Sequence, residues 1–91
     1  ITIGVGYDED IKKTKEVLMG VLTANPLVKE EPAPSVNVSE LADSSVNFAV
    51  RPYCKPEDYW TVYFATMEGC KLALDKAGIE IPYPHSVEIH K

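Results

Sequence analysis

The spacing of apolar residues changes from a period of two to the helical period and back, twice within 91 residues, and that order narrows the possible folds more than any single motif. Ile1, Ile3 and Val5 alternate with Thr2, Gly4 and Gly6, which predicts a strand of large and small residues. Asp8 is then a natural helix N-cap, and Asp8, Glu9 and Asp10 place negative charge at the positive end of a helix dipole. Ile11, Leu18, Val21 and Leu22 follow at helical spacing. The helix is expected to stop near Asn25, because Pro26 disfavours helical geometry in the residue before it.

Residues 26–34 contain three prolines and the pair Glu30 and Glu31, and read as an irregular surface loop. Val36 and Val38 alternate with Asn37 and Ser39 in a second strand ending around Leu41, and Asp43, Ser44 and Ser45 supply a turn. Val46, Phe48 and Val50 then form a third strand that pairs with the second as a hairpin. Its regular part is placed before Pro52, which cannot donate a ladder hydrogen bond. Pro56, Glu57 and Asp58 suit the first turn of a second helix. The main stripe of that helix is Tyr59, Val62, Tyr63, Cys70, Ala73, Leu74 and Ala77, and Gly78 is placed just past its end. Ile79–Ile81 predict a short extra strand, Pro82 and Pro84 bracket a turn at Tyr83, and Val87–Ile89 a last strand.

This order implies an α+β fold of the ferredoxin-like βαββαβ kind: a two-layer sandwich with an antiparallel sheet and both helices on one face. The length suits one domain over residues 1–91 with one modest core. Both ends are abruptly strand-like, which leads us to expect a piece of a longer protein.

Topology alone does not choose a function; the residues that carry the chemistry do. The formal net charge is -5 and no basic cluster is present, which argues against nucleic acid as a partner. The expected open face of the sheet carries Asn37, Ser39, Asn47, Ala49 and Arg51, without the aromatic platform that base stacking needs. No stretch is long and apolar enough to cross a bilayer. Cys54 and Cys70 lack the spacing of a metal site and read as reduced thiols, His85 and His90 as exposed polar residues, so no metal, cofactor or catalytic residue is expected. Gly4 and Gly6 lack the third glycine of a phosphate loop and precede acids that would repel an anion; close strand packing explains them better.

Two surface features stand out. Glu40, Asp43 and Arg51 lie on or beside the expected hairpin and could form a small charged cluster, either as a solvated surface or against a neighbouring chain or polar passage. Trp60, Phe64 and Leu72 fall away from the main stripe of the second helix, and apolar residues outside one stripe suggest a second buried face or an interface.

Three stretches resemble the cytosolic end of the small-conductance mechanosensitive channel family. They are Ile3-Gly4-Val5-Gly6-Tyr7-Asp8, Ser39-Glu40-Leu41-Ala42-Asp43-Ser44-Ser45-Val46-Asn47-Phe48 with Val50-Arg51 after it, and Ala77-Gly78-Ile79-Glu80-Ile81-Pro82-Tyr83-Pro84. The sequence departs from the family pattern at Pro52, Tyr53 and Cys54. The resemblance implies a cytosolic α/β domain of a longer membrane channel on the cytoplasmic side of a bacterial inner membrane. Seven copies would build the wall of a hollow vestibule through which ions and small solutes leave on hypo-osmotic shock, with no reaction catalysed. Glu40 would then lie near a side portal or subunit contact, and Arg51 would make a structural salt bridge. A small-ligand-sensing regulatory domain of the same topology is the alternative, and a phosphatase-like enzyme using Arg51 and Asn47 a third.

Overall fold

The computed structural model describes residues 1–82. Strand β1 (Thr2–Val5) leads to helix α1 (Ile11–Ala24), then the hairpin of β2 (Ser35–Leu41) and β3 (Val46–Arg51), then a 3-10 turn (Pro56–Asp58) that runs into helix α2 (Tyr59–Ala77). The three strands form one antiparallel sheet in the order β1-β3-β2.

Strand β3 is central, and its alternation explains the layering. Val46, Phe48 and Val50 are buried on one face, while Asn47 and Ala49 are only partly covered and Arg51 is exposed on the other. Leu18 and Leu22 from α1 join Cys70 and Leu74 from α2 in a single core with Val5, Val36 and Phe48, so both helices cover the same face of the sheet. The α+β architecture read from the sequence is therefore present.

Within the helices, core contact recurs every fourth residue. Thr14, Leu18 and Leu22 are buried in α1, and Val62, Thr66, Cys70 and Leu74 in α2. The two threonines were not expected there, and they displace Ile11 and Tyr59, both exposed. Thr14 fits because its hydroxyl donates to the Asp10 carbonyl at 2.8 Å, which satisfies the polar group inside the helix's own backbone. At the helix start Asp10, not Asp8, is the N-cap: its extended backbone lets a carboxylate oxygen accept from the Lys13 N–H at 2.9 Å. The other end is at Asn25, as Pro26 requires.

Helix α2 ends on Gly78 in the left-handed conformation, φ 76°, which favours glycine. Val38, two residues from buried Val36 in the same alternation, is 39% exposed; β2 is an edge strand and a bulge interrupts its pairing between Val38 and Glu40. The expected strand at Ile79–Ile81 is also absent. Ile79 is buried in the core and Glu80 is tied to the first loop instead: Gly6 N–H donates to the Glu80 carbonyl at 3.0 Å, and Glu80 N–H to Glu9 Oε2 at 2.9 Å. The features expected at Tyr83, Pro84, His85, Val87–Ile89 and His90, including the last strand of the ferredoxin-like order, lie outside the described residues.

Candidate functional site

The hairpin end of the sheet holds a network organised by Asn47. Its Nδ2 donates to Glu40 Oε1 at 3.2 Å, its Oδ1 accepts from Ser45 Oγ at 2.8 Å, and its carbonyl accepts from Ser39 Oγ at 3.3 Å. Gly4 sits opposite Asn47 in the ladder, and a Cβ there would lie 2.8 Å from Asn47 Oδ1, so the missing side chain is what admits the amide. Ala42 N–H donates to the Ser45 carbonyl at 2.9 Å and closes the turn, while Tyr7 donates its hydroxyl to the Ala42 carbonyl from the first loop. Glu40 is thus an exposed carboxylate held in one place, with exposed Asp43 beside it in the turn. The role of Asn47 as the centre of this network was not foreseen; Ser45 reaches it from the turn just before β3.

Arg51 does not join them. It pairs with Ser35 at the far end of the hairpin, four residues along β3 from the partner of Glu40, or roughly 14 Å at about 3.4 Å per residue. The salt bridge expected for it is not seen: the ion pair among the described residues is Lys71–Asp75, an exposed i, i+4 pair on α2. Arg51 lines a recess between the exit of β3 and the start of α2.

The flank of α2 carries four interlocked rings. Trp60 stacks on Phe64 at 5.8 Å between centroids and meets Tyr59 and Tyr63 edge-on at 5.0 and 5.5 Å. These contacts fix the rings against one another, yet Trp60 and Phe64 remain 61% and 62% exposed. Leu72, also exposed, is eight residues past Phe64, hence about 12 Å further along and about 80° round the helix. The three residues grouped by sequence therefore form two patches, Trp60 with Phe64 on one flank and Leu72 on another.

Among the described residues, no group of three or more histidine, cysteine, aspartate or glutamate side chains is placed to hold a metal ion, and no helix is long and apolar enough to cross a membrane. Cys70 is buried, and desolvation pushes its thiol up to about 11 from an ordinary 9.0. Cys54, on the segment between β3 and α2, is half-buried.

Residues 1–81 match the family model described as the C-terminal region of the mechanosensitive ion channel MscS. An uncharacterised MscS family protein of Synechocystis is 46% identical over 84 residues, which is 92% of this chain and 28% of that protein. The small-conductance mechanosensitive channel of Edwardsiella ictaluri is 40% identical over 90 residues, 99% of this chain and 31% of the relative. The chain thus spans about three-tenths of the length of these relatives. Among solved structures, the closed state of Helicobacter pylori MscS superposes with a TM-score of 0.86 at 28% identity, covering 100% of this chain and 37% of that one.

Proposed function

Because the chain belongs to the MscS family of mechanosensitive ion channels, we propose that it forms part of the wall of a vestibule on the cytoplasmic side of the membrane. In this reading copies of the domain, seven in the closed ring, surround the path by which ions and small solutes leave after membrane tension opens the pore in hypo-osmotic shock. The domain assembles and filters; it catalyses no reaction. The exposed stacked pair Trp60 and Phe64 is the observation that carries this reading, because the buried side of α2 already completes the core without them.

A ring of identical subunits needs two different patches on each, one for each neighbour. The Trp60–Phe64 flank and Leu72 supply two such patches on one helix. Glu40 and Asp43 are proposed to face a portal, where fixed negative charge raises the local concentration of cations. Arg51, at the other end of β3, belongs to a separate surface of the wall.

Patch recording from cells whose other tension-gated channels are deleted tests the proposal. Full-length protein is expected to give a conductance that opens with applied pressure, and silent patches would overturn the channel reading. With Glu40→Lys the reversal potential in a salt gradient should move toward anion preference; an unaltered potential would remove Glu40 from the portal while leaving the channel reading intact.

A further inference from the structure

The wall role makes no use of the recess beside Arg51. It has a volume of about 230 Å³ and is lined by Val50, Arg51, Tyr53, Cys54, Tyr59 and Tyr63, among others. At roughly 30 Å³ of liquid volume per water it has room for a ligand of roughly eight water-sized groups, smaller than a drug-sized molecule. Its chemistry is one-sided. The chain carries 14 acidic residues against 9 basic ones, yet no carboxylate lines the recess and the guanidinium of Arg51 does.

Two further features point the same way. Arg51 makes no ion pair among the described residues, so its five donors are not committed to a protein carboxylate. The hydroxyls of Tyr53, Tyr59 and Tyr63 make no hydrogen bond to other described residues, which leaves three adaptable polar groups around aliphatic and aromatic walls.

We infer that this recess binds a small organic anion with an apolar body, of the monocarboxylate class, its carboxylate held by Arg51 and the tyrosine hydroxyls and its apolar part lying against Val50, Val62 and the rings. Guanidinium and carboxylate match as a planar pair with two parallel hydrogen bonds, and the apolar and aromatic walls favour an anion with an apolar body over a compact inorganic one.

Cys54 lines the recess and reports on its occupancy. In the full-length protein the rate of Cys54 alkylation by N-ethylmaleimide, an uncharged reagent, is followed by peptide mass mapping at pH 7.5, with benzoate, benzyl alcohol or sulfate as the added probe. Cys70 is the internal control, since burial and a raised thiol keep it unreactive in every arm. Benzoate is expected to slow Cys54 modification, benzyl alcohol and sulfate to leave it unchanged, and Arg51→Gln to raise the benzoate concentration for half-protection at least about tenfold, each variant being normalised to its own unliganded rate. Absence of protection by benzoate would overturn the site. Equal protection by benzyl alcohol would overturn the role of charge, and equal protection by sulfate that of the apolar body. Tyr59→Phe, which keeps the ring, should weaken protection less than Arg51→Gln; the reverse order would overturn the assignment of the carboxylate to Arg51.

Discussion

The two helices carry one glycine each away from their ends, and the structure assigns opposite signs to replacing them with alanine. A Cβ added at Gly20 in α1 meets nothing within 4 Å, whereas one added at Gly69 in α2 lies 2.9 Å from Val21 Cγ1. Gly20→Ala should therefore show the bare gain of an alanine inside a helix, about 0.5–1 kcal/mol, mostly from a less disordered unfolded chain. Gly69→Ala receives the same gain but must also open a contact that carbon atoms prefer at about 3.5–4.0 Å. Val21 is β-branched and held to essentially one rotamer in a helix, so it cannot swing aside at low cost and the helices must move apart. Overpacking of this kind costs about 1–3 kcal/mol. The net expectation is a loss of about 1 kcal/mol, which places the two alanine variants about 2 kcal/mol apart.

For a domain of this size about 1 kcal/mol corresponds to a shift of about 4–8 °C in Tm, so thermal unfolding followed by circular dichroism resolves the pair. A double-mutant cycle assigns the cause. In a Val21→Ala background the clash is gone and Gly69→Ala should become stabilising, giving a coupling of about 1–2 kcal/mol. If Gly69→Ala raises Tm as much as Gly20→Ala does, or if the cycle shows no coupling, α1 and α2 do not approach as closely as described and the reasoning fails.

Three other outcomes are expected. Gly78→Ala forces a left-handed backbone on a residue with a Cβ and should cost about 1 kcal/mol, seen as a lower urea midpoint with unchanged slope; an unchanged midpoint would mean another residue ends α2. The folded Cys70 thiol titrates above its unfolded counterpart, so the stability it contributes is fully present below pH 9 and is lost as pH rises toward about 11, at up to about 1.4 kcal/mol per pH unit. Comparison with Cys70→Ala across that range isolates the effect, and identical pH profiles would refute it. Trp60→Ala with Phe64→Ala should shift the full-length protein to smaller species in native mass spectrometry while leaving its secondary structure intact; unchanged assembly would exclude this flank from the subunit contact.

What the sequence made legible followed from local rules with one solution. Pro26 allowed α1 to end only near Asn25, Pro52 closed β3, and Gly78 was the one residue suited to a left-handed helix end. Where several residues could satisfy the same rule, sequence did not decide: three acids precede α1, and only the placement of Asp10 three residues before the Lys13 N–H selects it. Thr14 and Thr66 were missed because residue class was weighed above position, although each sits four residues from core members on both sides or one. At the site, Glu40 and Arg51 looked close because a hairpin was read as a patch. Pairing Leu41 with Val46 across the turn already sends Arg51 to the opposite end. Leu72 was joined to Trp60 and Phe64 because distance from the core stripe says that a residue points elsewhere, without saying to which side.

The exposed aromatic flank also bears on how this domain holds together. Trp and Phe side chains cover about 150–250 Å² each. With about three-fifths of Trp60 and Phe64 open to solvent, burying them in a contact removes on the order of 250 Å² from water. At about 25 cal/mol per Å² that is on the order of 6 kcal/mol, an upper bound before ordering costs. A chain of 91 residues has a stability of about 5–14 kcal/mol at typical values per residue. The two quantities overlap, so a neighbour packed on this flank as proposed would contribute at most an energy of the same order as part of the domain's own folding free energy. With such a contact assembly and folding would be coupled: Tyr59, Trp60, Tyr63 and Phe64 brace one another in the free domain, so less side-chain freedom would remain to be lost when a partner surface arrives.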